Sequence, residues 1–174
     1  LAEAVYDAVA DSGIRPDLVE IEVTETAMIE DRSGAVYRTL SDLRQAGLGL
    51  AIDDFGTGYA SLSQLLRFPF NSIKIDRSFM SDIASGGAAT EIVRAILALG
   101  RGLSKTVVAE GIEEPYQAKM LLREGCSFGQ GYAYSRPLPL GEVQDFLHNQ
   151  VVSARTAMSR QAVDPVLEAS LQTM

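Results

Sequence analysis

The chain has 174 residues, 47% of them hydrophobic and 22% charged, and a formal net charge of −8 at pH 7. That composition belongs to a soluble globular chain long enough for one domain with a real core. The acidic balance excludes a general binder of DNA or RNA polymers, because a phosphate-neutralising face needs excess Lys and Arg; a small nucleotide held through metal ions stays open.

The opening "LAEAVYDAVADSGI" reads as an acidic helix and not as a signal peptide. "LVEIEVTE" (18–25) is the first of five short segments rich in apolar and β-branched residues. Strand alternation there sets Glu20 and Glu22 on one face and Ile21 and Val23 on the other. Val36, Leu40 and Leu43 then recur at helical spacing, with Gly47 as a stop. "LGLAIDDF" (48–55) is the second strand, and it ends in two adjacent acids, Asp53 and Asp54. Both cannot point to one face of a regular strand, so the strand must bend or end there, which Gly56 and Gly58 make easy. "NSIKID" (71–76) is the third strand, with Lys74 and Asp76 opposite Ile73 and Ile75.

Behind the polar opening "SGGAATE", Ile92, Ile96, Leu99 and Leu103 mark a further helix. "KTVVAEGI" (105–112) is the fourth strand, Pro115 opens a short helix over 117–123, and "CSFGQGY" (126–132) is the fifth strand. Its Cys126 is the only cysteine. It reads as a small buried hydrophobe, and its solitude points to a reducing compartment without a disulfide framework. Residues 140–147 form a last helical pattern, and 151–174 carry no strand pattern, as expected of a helical extension or linker interrupted near Pro165. No apolar run approaches the roughly 18 residues of a membrane span, so the expected location is cytoplasmic, within a parent that could itself be membrane-tethered.

Strand and helix alternate throughout, which predicts an α/β architecture with a mostly parallel sheet. The strand ends carry, in order, Glu22 and Glu25, Asp53 and Asp54, Lys74 and Asp76, Glu110 and Glu113, and Gln130. Polar groups gathered at successive strand ends are what a (β/α) barrel presents at its active face. Five strands do not close an eight-stranded barrel, and in this architecture the opening helix would follow a strand. Residues 1–150 are therefore read as the C-terminal portion of a TIM-type (β/α)8 barrel, with about the last five strands present.

The paired acids, with Glu22 one strand away, offer hard oxygen ligands that suit Mg²⁺ or Mn²⁺ and leave Ca²⁺ open. The one histidine, His148, lies far along the chain, against a histidine-rich zinc site. Two cations about 3.5–4 Å apart could activate a water and stabilise the leaving oxygen of a phosphodiester. Glu110 is then a candidate general base, and Lys74 would hold the water or a phosphate oxygen. Taken singly the residues have plainer readings: "DDFG" as an acidic turn, Lys74 as a solvated or ion-paired lysine, Gln130 as a barrel filler. Glu25, Glu113 and Glu114 are most simply surface charges. The "DFG" of protein kinases is excluded, because no histidine-bearing catalytic loop lies upstream.

The blocks "EVTET" (22–26), "DDFGTGYASL" (53–62), "IKIDRSF" (73–79), "VVAEGIE" (107–113) and "GQGY" (129–132) resemble, in order, the signature blocks of the EAL domain. The resemblance covers roughly residues 1–150. It implies a (β/α)8-type barrel with one antiparallel strand, and hydrolysis of cyclic di-GMP to linear pGpG with Mg²⁺ or Mn²⁺, inhibited by Ca²⁺. By the same resemblance Glu22, Asp53 and Asp54 are metal ligands, and Glu110 is a general base or metal ligand. Lys74 stands near the catalytic water, and Gln130, Glu113 and Asp76 belong to the substrate- and water-binding set. Glu25 steadies the loop Phe55, Gly56, Thr57, Gly58, Tyr59, Ala60 and Ser61, which in the family links metal binding to dimerisation. A homodimer and an upstream sensory or GGDEF-type module are the implied partners.

The Glu-Ala-Leu block that names the family, and the asparagine of the strand after it, do not occur in this sequence. Both are metal ligands in the family, so the chain alone is expected to be inactive or nearly so and to expose a strand edge that invites self-association. A cyclic di-GMP receptor without hydrolysis, or a dimerisation and regulatory module, are the alternative functions.

Overall fold

The computed structural model describes residues 1–149 apart from 32, 59, 60, 82 and 84–86. Tyr59 and Ala60 of the regulatory loop, and the extension at 151–174, lie outside the described residues. Residues 1–134 form one compact unit, and those from 135 onward belong to a second, whose described part contains a helix over residues 140–149.

The first unit is built on five strands in the order β1-β2-β3-β4-β5: Glu20–Thr24, Gly49–Phe55, Ser72–Ile75, Thr106–Ala109 and Phe128–Gly129. Each pairs in parallel with its sequence neighbour, as βαβ connectivity demands. The antiparallel strand implied by the resemblance is not among these five. Helices α1 (Ala2–Ser12), α3 (Ala35–Gln45), α5 (Ala88–Gly102) and α6 (Pro115–Arg123) fall where the sequence predicts helices.

Two short helices were not legible in the sequence pattern, α2 (Glu25–Ile29) and α4 (Leu62–Arg67). Each is too brief to show periodicity. α4 is marked instead by its cap, in which the Ser61 hydroxyl accepts from Gln64 N while the Gln64 side chain accepts from Ser61 N. The strands are also shorter than their apolar runs, and the fifth retains only two residues of the predicted seven.

The core sits between the sheet and its helices. All four residues of β3 are buried, and Leu50, Ile52, Ile73, Ile75 and Ala109 meet Leu40 and Leu43 of α3 and Val93, Ile96 and Leu97 of α5 in one cluster. Near-continuous apolar strands are what a parallel sheet needs at its centre. Cys126, 3% exposed, is the buried hydrophobe its isolation suggested.

α5 lies so close to β4 that a Cβ on Gly100 would fall 2.2 Å from Val107 Cγ2. A β-branched side chain has little rotamer freedom with which to yield. Gly100→Ala therefore gains up to about 1 kcal/mol of helix propensity but loses about 1–3 kcal/mol to overpacking. The expected result by urea denaturation is net destabilisation, with the Gly100→Ala/Val107→Ala pair losing at least about 1 kcal/mol less than the sum of its singles.

Candidate active site

The C-terminal ends of β1 to β4 converge on one group of charged side chains. At its centre is a departure from strand regularity. Ile52 pairs with Ile73 and Phe55 with Ile75, so β2 carries one residue more than β3 over this stretch. The extra residue makes a bulge, and Asp54 takes up the strain with φ +54°, a left-handed conformation that aspartate tolerates better than most residues. The consequence is that ligand oxygens of Asp53, Asp54 and Glu110 all lie within 4.8 Å of one another.

Lys74 of β3 is the counter-charge. Its side chain is 7% exposed, and its Nζ stands 2.6 Å from Glu22 Oε1, 2.6 Å from Glu110 Oε1 and 3.4 Å from Asp53 Oδ1. Burial works to lower the Lys74 pKa, but the hydrogen bonds to Glu110 and Glu22 and the charges around it outweigh that, and the net direction is upward. The ammonium is fixed. Asp53 Oδ1 is buried yet, alone among the described residues' buried side-chain oxygens and nitrogens, has no hydrogen-bond partner. Lys74 at 3.4 Å offers it charge attraction without a donated bond.

The acids titrate unevenly. Burial pushes the Glu110 carboxyl up, helped by the charges of Asp53 and Glu22 and opposed by Lys74. Burial is also the first cause of the raised Asp54 pKa, with the Asp53 and Asp76 charges next. Asp76 moves the other way despite burial, because hydrogen bonds from Ser78 and the Arg77 backbone favour its charged form. Its Oδ1 caps the short 3₁₀ turn Arg77–Phe79 by accepting from Ser78 N at 3.0 Å.

Glu25 corrects the plainest reading of the sequence. It is no surface charge but 3% exposed, and its Oε2 accepts from Gly56 N at 3.1 Å and Gly58 N at 3.3 Å. Gly56 sits at φ +100°, and a Cβ on Gly58 would lie 2.7 Å from Glu25 Oε1. One glycine is therefore required by conformation and the other by space. Thr57 Oγ1 closes the turn on Asp54 O at 2.8 Å. Phe55 is buried beneath, and Ser61 ends the loop as the α4 cap.

Beside this group lies a cavity of about 290 Å³ whose walls include Asp54, Asp76, Glu110, Glu113 and Gln130. Every strand end that the sequence singled out thus contributes to one region. Asp54, Asp76, Glu110, Glu113 and Gln130 line it, Glu22 and Asp53 join it through Lys74, and Glu25 holds the loop beside it. Glu113 and Glu114 are exposed, as their surface reading held. Sequence reasoning missed Arg77, Gly111 and Tyr132, which also line the cavity, and Gln117, which is 5% exposed. Gln117 Oε1 accepts from Glu113 N at 2.8 Å and Glu114 N at 2.9 Å, and its Nε2 donates to Met80 O at 2.9 Å. Its place in the first turn after Pro115, where a helix start needs an acceptor, was the available signal.

A parallel α/β sheet with acids and a lysine at the strand ends defines a barrel-type active face, and comparison with known proteins makes the class specific. Residues 1–137 match the EAL domain. The chain belongs to the EAL domain family. It is 42% identical over 147 residues to cyclic di-GMP phosphodiesterase NbdA of Pseudomonas aeruginosa, covering 84% of this chain and 19% of that protein. The structure of the MucR phosphodiesterase in complex with c-di-GMP superposes with a TM-score of 0.78 at 40% identity, over 82% of this chain and 57% of that one. BlrP1 of Klebsiella pneumoniae, in a manganese and cyclic di-GMP complex, gives a TM-score of 0.72 at 41% identity over 78% of this chain and 34% of that one. The chain thus spans about a fifth of its curated relative and forms part of the (β/α)8 barrel of its structural neighbours.

Removing the cation from this group should be costly. Lys74→Met leaves Glu22, Asp53 and Glu110 without it and is expected to lose about 2–4 kcal/mol in urea denaturation at pH 7, below the largest buried-pair losses because Glu22 is 47% exposed. Crowded acids without a cation have raised folded-state pKa values, so their protonation on acidification favours the fold. The gap to wild type should narrow as pH falls from 7 towards 4.5. Glu25→Ala leaves two backbone donors unpaired and should cost about 1–3 kcal/mol, with faster proteolytic nicking between Gly56 and Ser61.

Proposed function

We propose that this chain is the C-terminal portion of a metal-dependent phosphodiesterase domain that opens cyclic di-GMP to linear pGpG. The observation that carries the reading is the bulged end of β2, which sets Asp53 and Asp54 beside Glu110 with a buried Asp53 oxygen lacking a hydrogen bond. An all-carboxylate donor set suits Mg²⁺ or Mn²⁺, with Ca²⁺ as a non-productive substitute. The names of NbdA and MucR support the substrate, and the manganese complex of BlrP1 supports the ion.

Asp53, Asp54 and Glu110 would hold the cation, with Glu22 as a further donor. When bound, the cation supplies positive charge that eases loss of a proton from water and stabilises the leaving ribose oxygen. Glu110, beside the cation, would take the proton released as water attacks phosphorus. The P–O bond to the ribose breaks, and that oxygen leaves as a hydroxyl with a proton taken from solvent, to which Glu110 returns the one it accepted. Lys74 orients Glu110 through their 2.6 Å contact and balances the charge of the acids. Gln130, which lines the same cavity as Asp54, would present its amide to substrate or water. Asp76 and Glu113 complete that wall. Glu25 holds the loop from Phe55 to Ser61, through which we place coupling to a homodimer partner and to an upstream sensory or GGDEF-type module. Cytoplasmic placement follows from the substrate.

The test is cyclic di-GMP hydrolysis with Mn²⁺, with pGpG followed by chromatography. Slow formation of pGpG by the chain is expected, since its sequence contains no Glu-Ala-Leu block, and Glu110→Gln should reduce it by at least about 100-fold. Binding of cyclic di-GMP by that variant in Ca²⁺ should stay within a few-fold of wild type. A wild-type chain that binds cyclic di-GMP yet forms pGpG no faster than Glu110→Gln would contradict hydrolysis by this chain and favour the receptor reading.

A further inference from the structure

The cavity beside the carboxylates presents four acidic residues, Asp54, Asp76, Glu110 and Glu113, and among its described lining residues one cation, Arg77. Arg77 is exposed, and among the described residues it forms no ion pair although acids surround it. The other cation nearby, Lys74, is buried and engaged by Glu22, Asp53 and Glu110.

The backbone of Arg77 is held from three sides. Asp76 caps its turn, and Met80 N donates to Arg77 O at 2.9 Å. Gln117 Nε2 grips Met80 O, also at 2.9 Å, from α6. On the third side lies Gly111, at φ +67°, where a Cβ would stand only 2.4 Å from Arg77 Cβ. The turn after β3 is therefore seated against the loop that carries Glu110 and Glu113. A guanidinium presented from a fixed base into an acidic cleft is pre-organised for an anion.

Resting on the reading above, we propose that Arg77 binds the second phosphate of the cyclic dinucleotide, the one that is not cut. A cyclic dinucleotide carries two phosphodiester charges. The cation site beside Asp53 and Asp54 accounts for one of them. The other must enter a cleft whose remaining charges are carboxylates, and without a cation it would be repelled. The planar fork of arginine matches two phosphate oxygens, and Arg77 is the group in the wall that no protein acid occupies.

Titration calorimetry of cyclic di-GMP into the 174-residue chain with Ca²⁺ present tests this. Arg77→Ala should bind about 10- to 100-fold more weakly, the range for losing a charge-assisted hydrogen bond. Alanine keeps the Cβ that packs on Gly111, so the far-UV circular dichroism should be unchanged. Arg77→Lys keeps the charge and should recover to within about 10-fold of wild type. Equal affinity of wild type and Arg77→Ala overturns the proposal while leaving the phosphodiesterase reading intact. Arg77→Ala that weakens guanosine, which has no phosphate, as much as it weakens cyclic di-GMP overturns the phosphate assignment in favour of a fork on a guanine edge. No binding by the wild-type chain overturns the substrate itself, and this inference with it.

Discussion

Successive side chains of a β-strand point to opposite faces, so two adjacent aspartates can serve one site only where the strand breaks its own regularity. β2 does so with one extra residue before Phe55 and a left-handed Asp54. Much of the site follows from that irregularity. The bulge turns both acids towards Glu110, which creates a concentration of negative charge at the end of the sheet. Lys74 answers that charge from the adjacent strand, and its burial becomes tolerable because three carboxylates surround it. Glu25 answers the geometry by tying down the chain that leaves the bulge.

The parallel sheet gives this arrangement its stiffness. β2, β3 and β4 supply Leu50, Ile52, Ile73, Ile75, Val107 and Ala109 to the core, and their C-terminal ends deliver Asp53, Lys74 and Glu110 side by side. The loops add a second layer of constraint. Gln117 bonds both the loop after β4 and the turn after β3, so the wall segments that bear Glu113 and Arg77 are braced against each other and not left as independent loops. A site built in this way needs little reorganisation to receive a charged ligand.

Much of this was legible in the sequence, and for identifiable reasons. The strands show as apolar β-branched runs, and the helices α3, α5 and α6 show as spaced apolar residues. The bend at Asp53 and Asp54 follows from strand alternation alone. Glu25 is the instructive case. Its residue type and its place after "VT" suggest a solvated charge, yet it is buried because two glycines thirty-odd residues later offer it backbone donors. Such long-range pairing leaves no local pattern; its strand-end position marked Glu25, and only the resemblance to the EAL blocks gave it a role. Arg77 and Gln117 stayed hidden for the same reason, since their roles depend on contacts between loops after different strands. α2 and α4 were missed because a helix of five or six residues is too short for a period to emerge.

The central claim is that the bulge of β2 makes one divalent-cation site from Asp53, Asp54 and Glu110. Titrating Mn²⁺ into the chain and following the free-ion signal by electron paramagnetic resonance tests it most directly. Saturable binding by wild type that is lost in both Asp53→Ala and Asp54→Ala, with each variant still folded, is the expected result. Binding that survives either substitution unchanged, or a wild-type chain that takes up no Mn²⁺, would contradict it.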